Sequence, residues 1–171
     1  MHRPARLSSL CIFLTVGTAL MACGKDGAES AEVATVRNEG ATACPSAAEM
    51  EIVLQFPVSA SSAPANGCRY DASGATITIE YQPADRAEEV YARIRQESQS
   101  ARGTPPDRLI FDDGGFTYGT SDKKVGAAVS KGRLYYVEID HASFTGPTMP
   151  TDAAVRVLKL ATEKAPGPSG T

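Results

Sequence analysis

From Ala75 to Asp140 the chain is cut into short segments by turn residues, and only one segment carries the period of a helix. Ala75 to Tyr81 alternates, with Ile77, Ile79 and Tyr81 on one side and Thr76, Thr78 and Glu80 on the other, the pattern of a half-buried strand. Leu109 to Phe111, Phe116 to Thr120, Val125 to Ser130 and Arg133 to Asp140 read as further strands. Asp112-Asp113-Gly114-Gly115, Ser121-Asp122-Lys123-Lys124 and Lys131-Gly132 supply the turns between them. The exception is Asp85 to Ser98. Asp85 and Glu88 form its cap, Ala87, Val90, Tyr91, Ile94 and Ser98 form an apolar stripe, and Glu89 and Arg93 make an i, i+4 pair. Pro105 and Pro106 bar its continuation.

Two more helices frame this region. Ser46 and Glu49 have capping-box spacing, followed by Ala47, Met50, Val53 and Leu54 at helical intervals, with Pro57 as the stop. Asp152 to Thr162 places Ala154, Val157, Leu158 and Ala161 inward. Ser59 to Gly67 reads as a loop, and Cys68 opens a short strand. Hairpins with helices outside imply an α+β sandwich on an antiparallel sheet, with about three helices, over residues 44–162.

The N-terminus reads as an address. His2, Arg3 and Arg6 precede an apolar run from Leu10 to Leu20, which at eleven residues is too short for a hydrocarbon core that needs about 20. Residues 1–22 therefore read as a signal peptide. Leu20-Met21-Ala22-Cys23 resembles the lipobox of bacterial lipoproteins, which implies a diacylglyceryl thioether on Cys23, cleavage before it and acylation of the new amine. Two or three acyl chains make a stable anchor. Gly24 after the cysteine resembles the default for export to the outer membrane of a diderm bacterium, on its periplasmic side or surface. Residues 24–43 are rich in Ala, Glu, Gly, Thr and Ser and read as a flexible tether with an r.m.s. reach of about 25 Å. Residues 163–171 read as a disordered tail.

Cys11 leaves with the signal peptide and Cys23 takes the lipid, so Cys44 and Cys68 remain in an oxidising compartment, where two thiols pair. Their spacing is not Cys-x-x-Cys and no histidine cluster accompanies them, which argues against a redox or metal pair. The net charge of −3, with cations dispersed beside acids, lacks the footprint a nucleic acid requires.

The order of lipobox, tether, Cys44-Pro45, a short helix ending Phe56-Pro57-Val58, Gly67-Cys68-Arg69-Tyr70, an alternating strand, an Ala-Glu-Glu-Val-Tyr helix, a meander and a last helix resembles the small bacterial lipoproteins of the DUF3558 type. Their domain resembles the Mog1/PsbP-like sandwich. The resemblance implies no catalytic residues.

The search for chemistry returns little. His141 is the one histidine outside the signal peptide, and strand alternation turns it away from Asp140, so the two form no relay. Ser121 to Lys124 has Ser-x-x-Lys spacing but falls in a turn, without the companion elements of that chemistry. Asp112 and Asp113 are what a tight turn needs and are too few oxygens for Ca²⁺. No metal, cofactor or phosphate loop is expected. Tyr135 and Tyr136 face opposite ways, so one of them is expected at the surface as a binding hot spot. The reading is a lipid-anchored envelope protein with a non-enzymatic interaction or ligand-binding module, its partner an envelope protein or a small ligand. The alternatives are an envelope hydrolase using His141 or Asp112 and Asp113, and a carrier of an apolar ligand.

Overall fold

The computed structural model describes residues 44–62 and 64–165. The expectations for the signal peptide, the lipid on Cys23 and the tether lie outside them. The chain forms α1 (Ala47–Leu54), β1 (Ser59–Ala60), β2 (Gly67–Ala72), β3 (Ala75–Pro83), α2 (Ala87–Arg102), β4 (Asp107–Leu109), β5 (Gly115–Gly119), β6 (Lys123–Ser130), β7 (Arg133–Asp140) and α3 (Ala153–Lys164). All seven strands join one antiparallel sheet in the order β1-β2-β3-β7-β6-β5-β4. This is the expected α+β class, and Cys44 and Cys68 are joined in a disulfide as expected.

Helix α1 forms where its cap dictates. The Ser46 hydroxyl accepts from the Glu49 N–H, and the Glu49 carboxylate accepts from the Ser46 N–H at 2.9 Å. Lys164 at the end of α3 pairs with the same carboxylate. That contact first, and the Ser46 hydrogen bonds second, hold Glu49 down at about 2. Because Lys164 is tied in this way and Ala165 is buried, residues 163–165 belong to the fold rather than to the expected tail.

Several local expectations shift. Asp85 does not cap α2; it lies in a 3₁₀ turn over Ala84–Arg86, and α2 starts at Ala87 with no side-chain cap. Glu89 pairs with Arg86, and Arg93 lies 3.9 Å from Glu97, in place of the expected Glu89–Arg93 pair. The segment expected as a loop includes β1, because Ser59 and Ala60 pair with Asp71 and Tyr70. The strand expected at Leu109 to Phe111 sits two residues earlier, because Leu109 pairs with Gly115 and the chain then turns through a Gly114 N–H to Phe111 carbonyl bond.

Helices lie on both faces of the sheet. On one face α1 and α3 cover Cys68, Tyr70, Ile77, Ile79, Tyr81, Tyr135, Val137 and Ile139, with Met50, Leu54, Val157 and Leu158 pointing down onto them. On the other face Val90, Tyr91 and Ile94 of α2 cover Tyr118, Val125, Ala127, Leu134 and Tyr136. The Tyr135 ring packs edge-on to Tyr81, and its buried hydroxyl has no partner among the described residues. A buried unpaired hydroxyl costs about 1–3 kcal/mol. Tyr135→Phe is therefore expected to raise the unfolding free energy by about 1 kcal/mol in urea titration, and a loss of that size would contradict the assignment.

Candidate functional site, a polar trough along β3

Among the described residues, helix α2 covers β5, β6 and β7 but not β2 or β3, so no helix covers half of one sheet face. Directly opposed residues of an antiparallel pair share a face, so the register reads out what this half presents. One row across the strands is Arg69, Thr78 and Glu138. The next is Asp71, Thr76, Asp140 and Lys123, and on the other side come Glu80 and Tyr136. Thr76, Thr78, Glu80 and Gln82 follow one another along β3 and link two depressions. One, of about 240 Å³, is lined by Arg69, Thr76, Thr78, Glu138 and Asp140. The other, of about 630 Å³, lies between Glu80 and Gln82, the Pro64–Asn66 loop and Arg86 before α2. The Tyr81 N–H donates to the Asn66 carbonyl at 2.8 Å, which fixes that loop at the end of the trough.

The wall on the α2 side is a charged network. The Tyr118 hydroxyl donates to Glu97 at 2.7 Å, and the Tyr136 hydroxyl donates to Glu138 at 2.8 Å. Lys123 stands 3.1 Å from Glu138, and the Arg93 guanidinium lies over the Tyr136 ring, 4.9 Å from its centroid. Burial pushes both phenols up, and the carboxylates they serve add to it, so both stay protonated as donors. In contrast, the side chains of Arg69, Asp71, Thr76 and Thr78 make no hydrogen bond or ion pair among the described residues. A guanidinium at one margin, carboxylates at the other and hydroxyls between them suit a polar ligand carrying donors and acceptors of both signs.

The residues singled out in the sequence lie elsewhere. Tyr135 and Tyr136 do face opposite ways, but both are buried, because α1 and α3 cover one face at that point and α2 covers the other. The expectation that one is exposed is corrected. His141 follows β7 with its N–H donated to the Asp122 carbonyl; burial first, then Lys124, lowers its pKa, and its Nε2 has no partner among the described residues. Ser121 is exposed in the β5–β6 turn. Asp112 accepts from the Ser130 hydroxyl at 2.7 Å, a turn contact. Among the described residues no three His, Cys, Asp or Glu side chains gather as a metal site, and no helix is long and apolar enough to cross a membrane.

No protein-family model matches the chain. No curated protein matches it either. Among solved structures it is similar to a GTP binding regulator from Thermotoga maritima, at 14% identity over 71% of this chain and 90% of that chain, with a TM-score of 0.33. A likeness of that size says nothing of this chain's ligand.

Proposed function

We propose that this chain is a lipid-anchored protein of the bacterial cell envelope, and that its domain is a non-enzymatic binding module whose recognition surface is the trough along β3. The observation that carries the reading is the half of the sheet that no helix covers, where Arg69, Thr76 and Thr78 stand unengaged among the described residues beside a wall hydrogen-bonded through Glu97 and Glu138. The positive N-terminus, the Leu10 to Leu20 run and Leu20-Met21-Ala22-Cys23 support the anchor. A disulfide is what an oxidising compartment favours.

The placement of the shifted titratable groups favours binding over catalysis. Glu49 and Asp152 are lowered by their contacts with Lys164 and Arg156, His141 is lowered first by burial at the end of β7, and the raised tyrosines are buried between the helices and the sheet, Tyr136 in the trough wall among them. None of these converges on a nucleophile. Close packing also disfavours a carrier that opens between α3 and the sheet. A methyl group added at Gly126 of β6 would stand 2.7 Å from Leu158.

Arg69→Glu combined with Thr78→Arg tests the reading. Both side chains face solvent or the rim of the trough, so stability is expected to stay within about 0.5 kcal/mol. The full chain is cross-linked in its own cells and its partners are read by mass spectrometry. Recovery of the partner is expected to fall about tenfold or more, equivalent to about 1.4 kcal/mol of binding. Unchanged recovery from a folded variant would overturn the trough as the recognition surface.

A further inference from the structure

We propose that the outer surface of the α1–α3 layer seats on the lipid surface that holds the anchor, so that the trough, on the opposite face of the sheet, looks away from the bilayer. The inference rests on the lipid anchor at Cys23 proposed above. Two large apolar side chains are strongly exposed among the described residues, Ile52 at 76% and Ile110 at 101%. Ile110 is isolated beyond the end of β4. Ile52 lies on α1, whose neighbour Val53 forms with Leu160 of α3 a notch of about 320 Å³ rimmed by Arg156, Lys159 and Glu163. An exposed isoleucine beside an apolar notch, with long charged side chains able to lie along it and reach water, suits a surface that rests in a headgroup layer.

The chain outside the described structure says why a membrane is the occupant. Twenty residues separate Cys23 from Cys44, and Cys44 lies three residues before α1 and is bound to Cys68 of β2. The leash therefore joins the fold beside the layer that carries Ile52. Twenty residues span at most about 70 Å, so a lipid on Cys23 keeps that layer near the bilayer, and a contact too weak for a free protein suffices. Arg156 is already paired with Asp152 at 2.8 Å, and Lys159 and Glu163 bring opposite charges to the same rim, so the contact is apolar in character and depends little on salt.

The test uses the full lipidated chain in phosphatidylethanolamine–phosphatidylglycerol vesicles that contain a headgroup-attached quencher. A polarity-sensitive fluorophore is placed through Lys159→Cys or, as the control, through Ile110→Cys, with the native disulfide closed. The Lys159 label is expected to be quenched several-fold more than the Ile110 label at both low and high salt, and Ile52→Glu is expected to remove the difference. Equal quenching of the two labels on a chain whose mass includes the lipid would overturn the seating alone. A chain whose mass lacks the lipid would overturn the anchor, and the seating with it.

Discussion

Replacing Cys44 and Cys68 together by Ala is expected to lower the unfolding free energy by about 3–4 kcal/mol. The bond closes a loop across a sequence separation of 24, and fixing those ends in the unfolded chain removes conformational freedom that the variant regains. This part is also held by the packing of Met50, Leu54 and Phe56 and by the Lys164 contact with Glu49. Between Cys44 and β2 the chain holds an eight-residue helix and a two-residue strand. The Tyr70 hydroxyl donating to the Pro45 carbonyl is a neighbouring tie. An eight-residue helix is too short to persist without tertiary support, so α1 is expected to loosen first. Urea titration of the variant against the oxidised parent measures the loss, and hydrogen exchange in residues 47–54 measures the loosening. A loss under about 1 kcal/mol would show that packing of Met50 and Leu54 alone secures the region.

The contact between α3 and β6 gives the second large effect. Leu158 is fully buried, and its Cδ1 fills the space a side chain at Gly126 would need. Leu158→Ala is expected to cost about 2–5 kcal/mol, from lost burial plus the cavity left behind. Gly126→Ala alone is expected to cost about 1–3 kcal/mol, because its methyl would stand 2.7 Å from Leu158 and 3.5 Å from Ala154. In the double variant the new methyl enters the space that Leu158 vacates. The two losses are therefore expected to fall short of additivity by about 1–2 kcal/mol in a double-mutant cycle. Additive losses would mean that the helix shifts away from the sheet and that the contact is not as tight as the geometry gives.

What the sequence reveals here is what short-range physics controls. The capping box of Ser46 and Glu49, the alternation through β3 and the turn residues at Lys131 and Gly132 each act within a few residues, and each yields an element close to where it stands. The trough depends on pairings far apart in the chain. Thr76, Thr78 and Glu80 are readable as the polar side of a strand, but that Thr78 stands between Arg69 and Glu138 follows only from β3 pairing with both β2 and β7. Tyr135 and Tyr136 misled for the same reason. Their opposite orientation is local, whereas their burial depends on a helix on each face of the sheet. Strand β1 has two residues and no period to read, and its pairing with β2 is again non-local.

The trough as a recognition surface is tested most directly by a photo-cross-linking amino acid at Thr78, in the centre of the half-face that no helix covers, compared with the same amino acid at Ile110 beyond the far edge of the sheet. In the full chain, in its own cells, Thr78 is expected to capture a discrete partner that Ile110 does not, and Arg69→Glu is expected to reduce that capture about tenfold. Capture that is equal at the two positions, or that is indifferent to Arg69→Glu, would contradict the account.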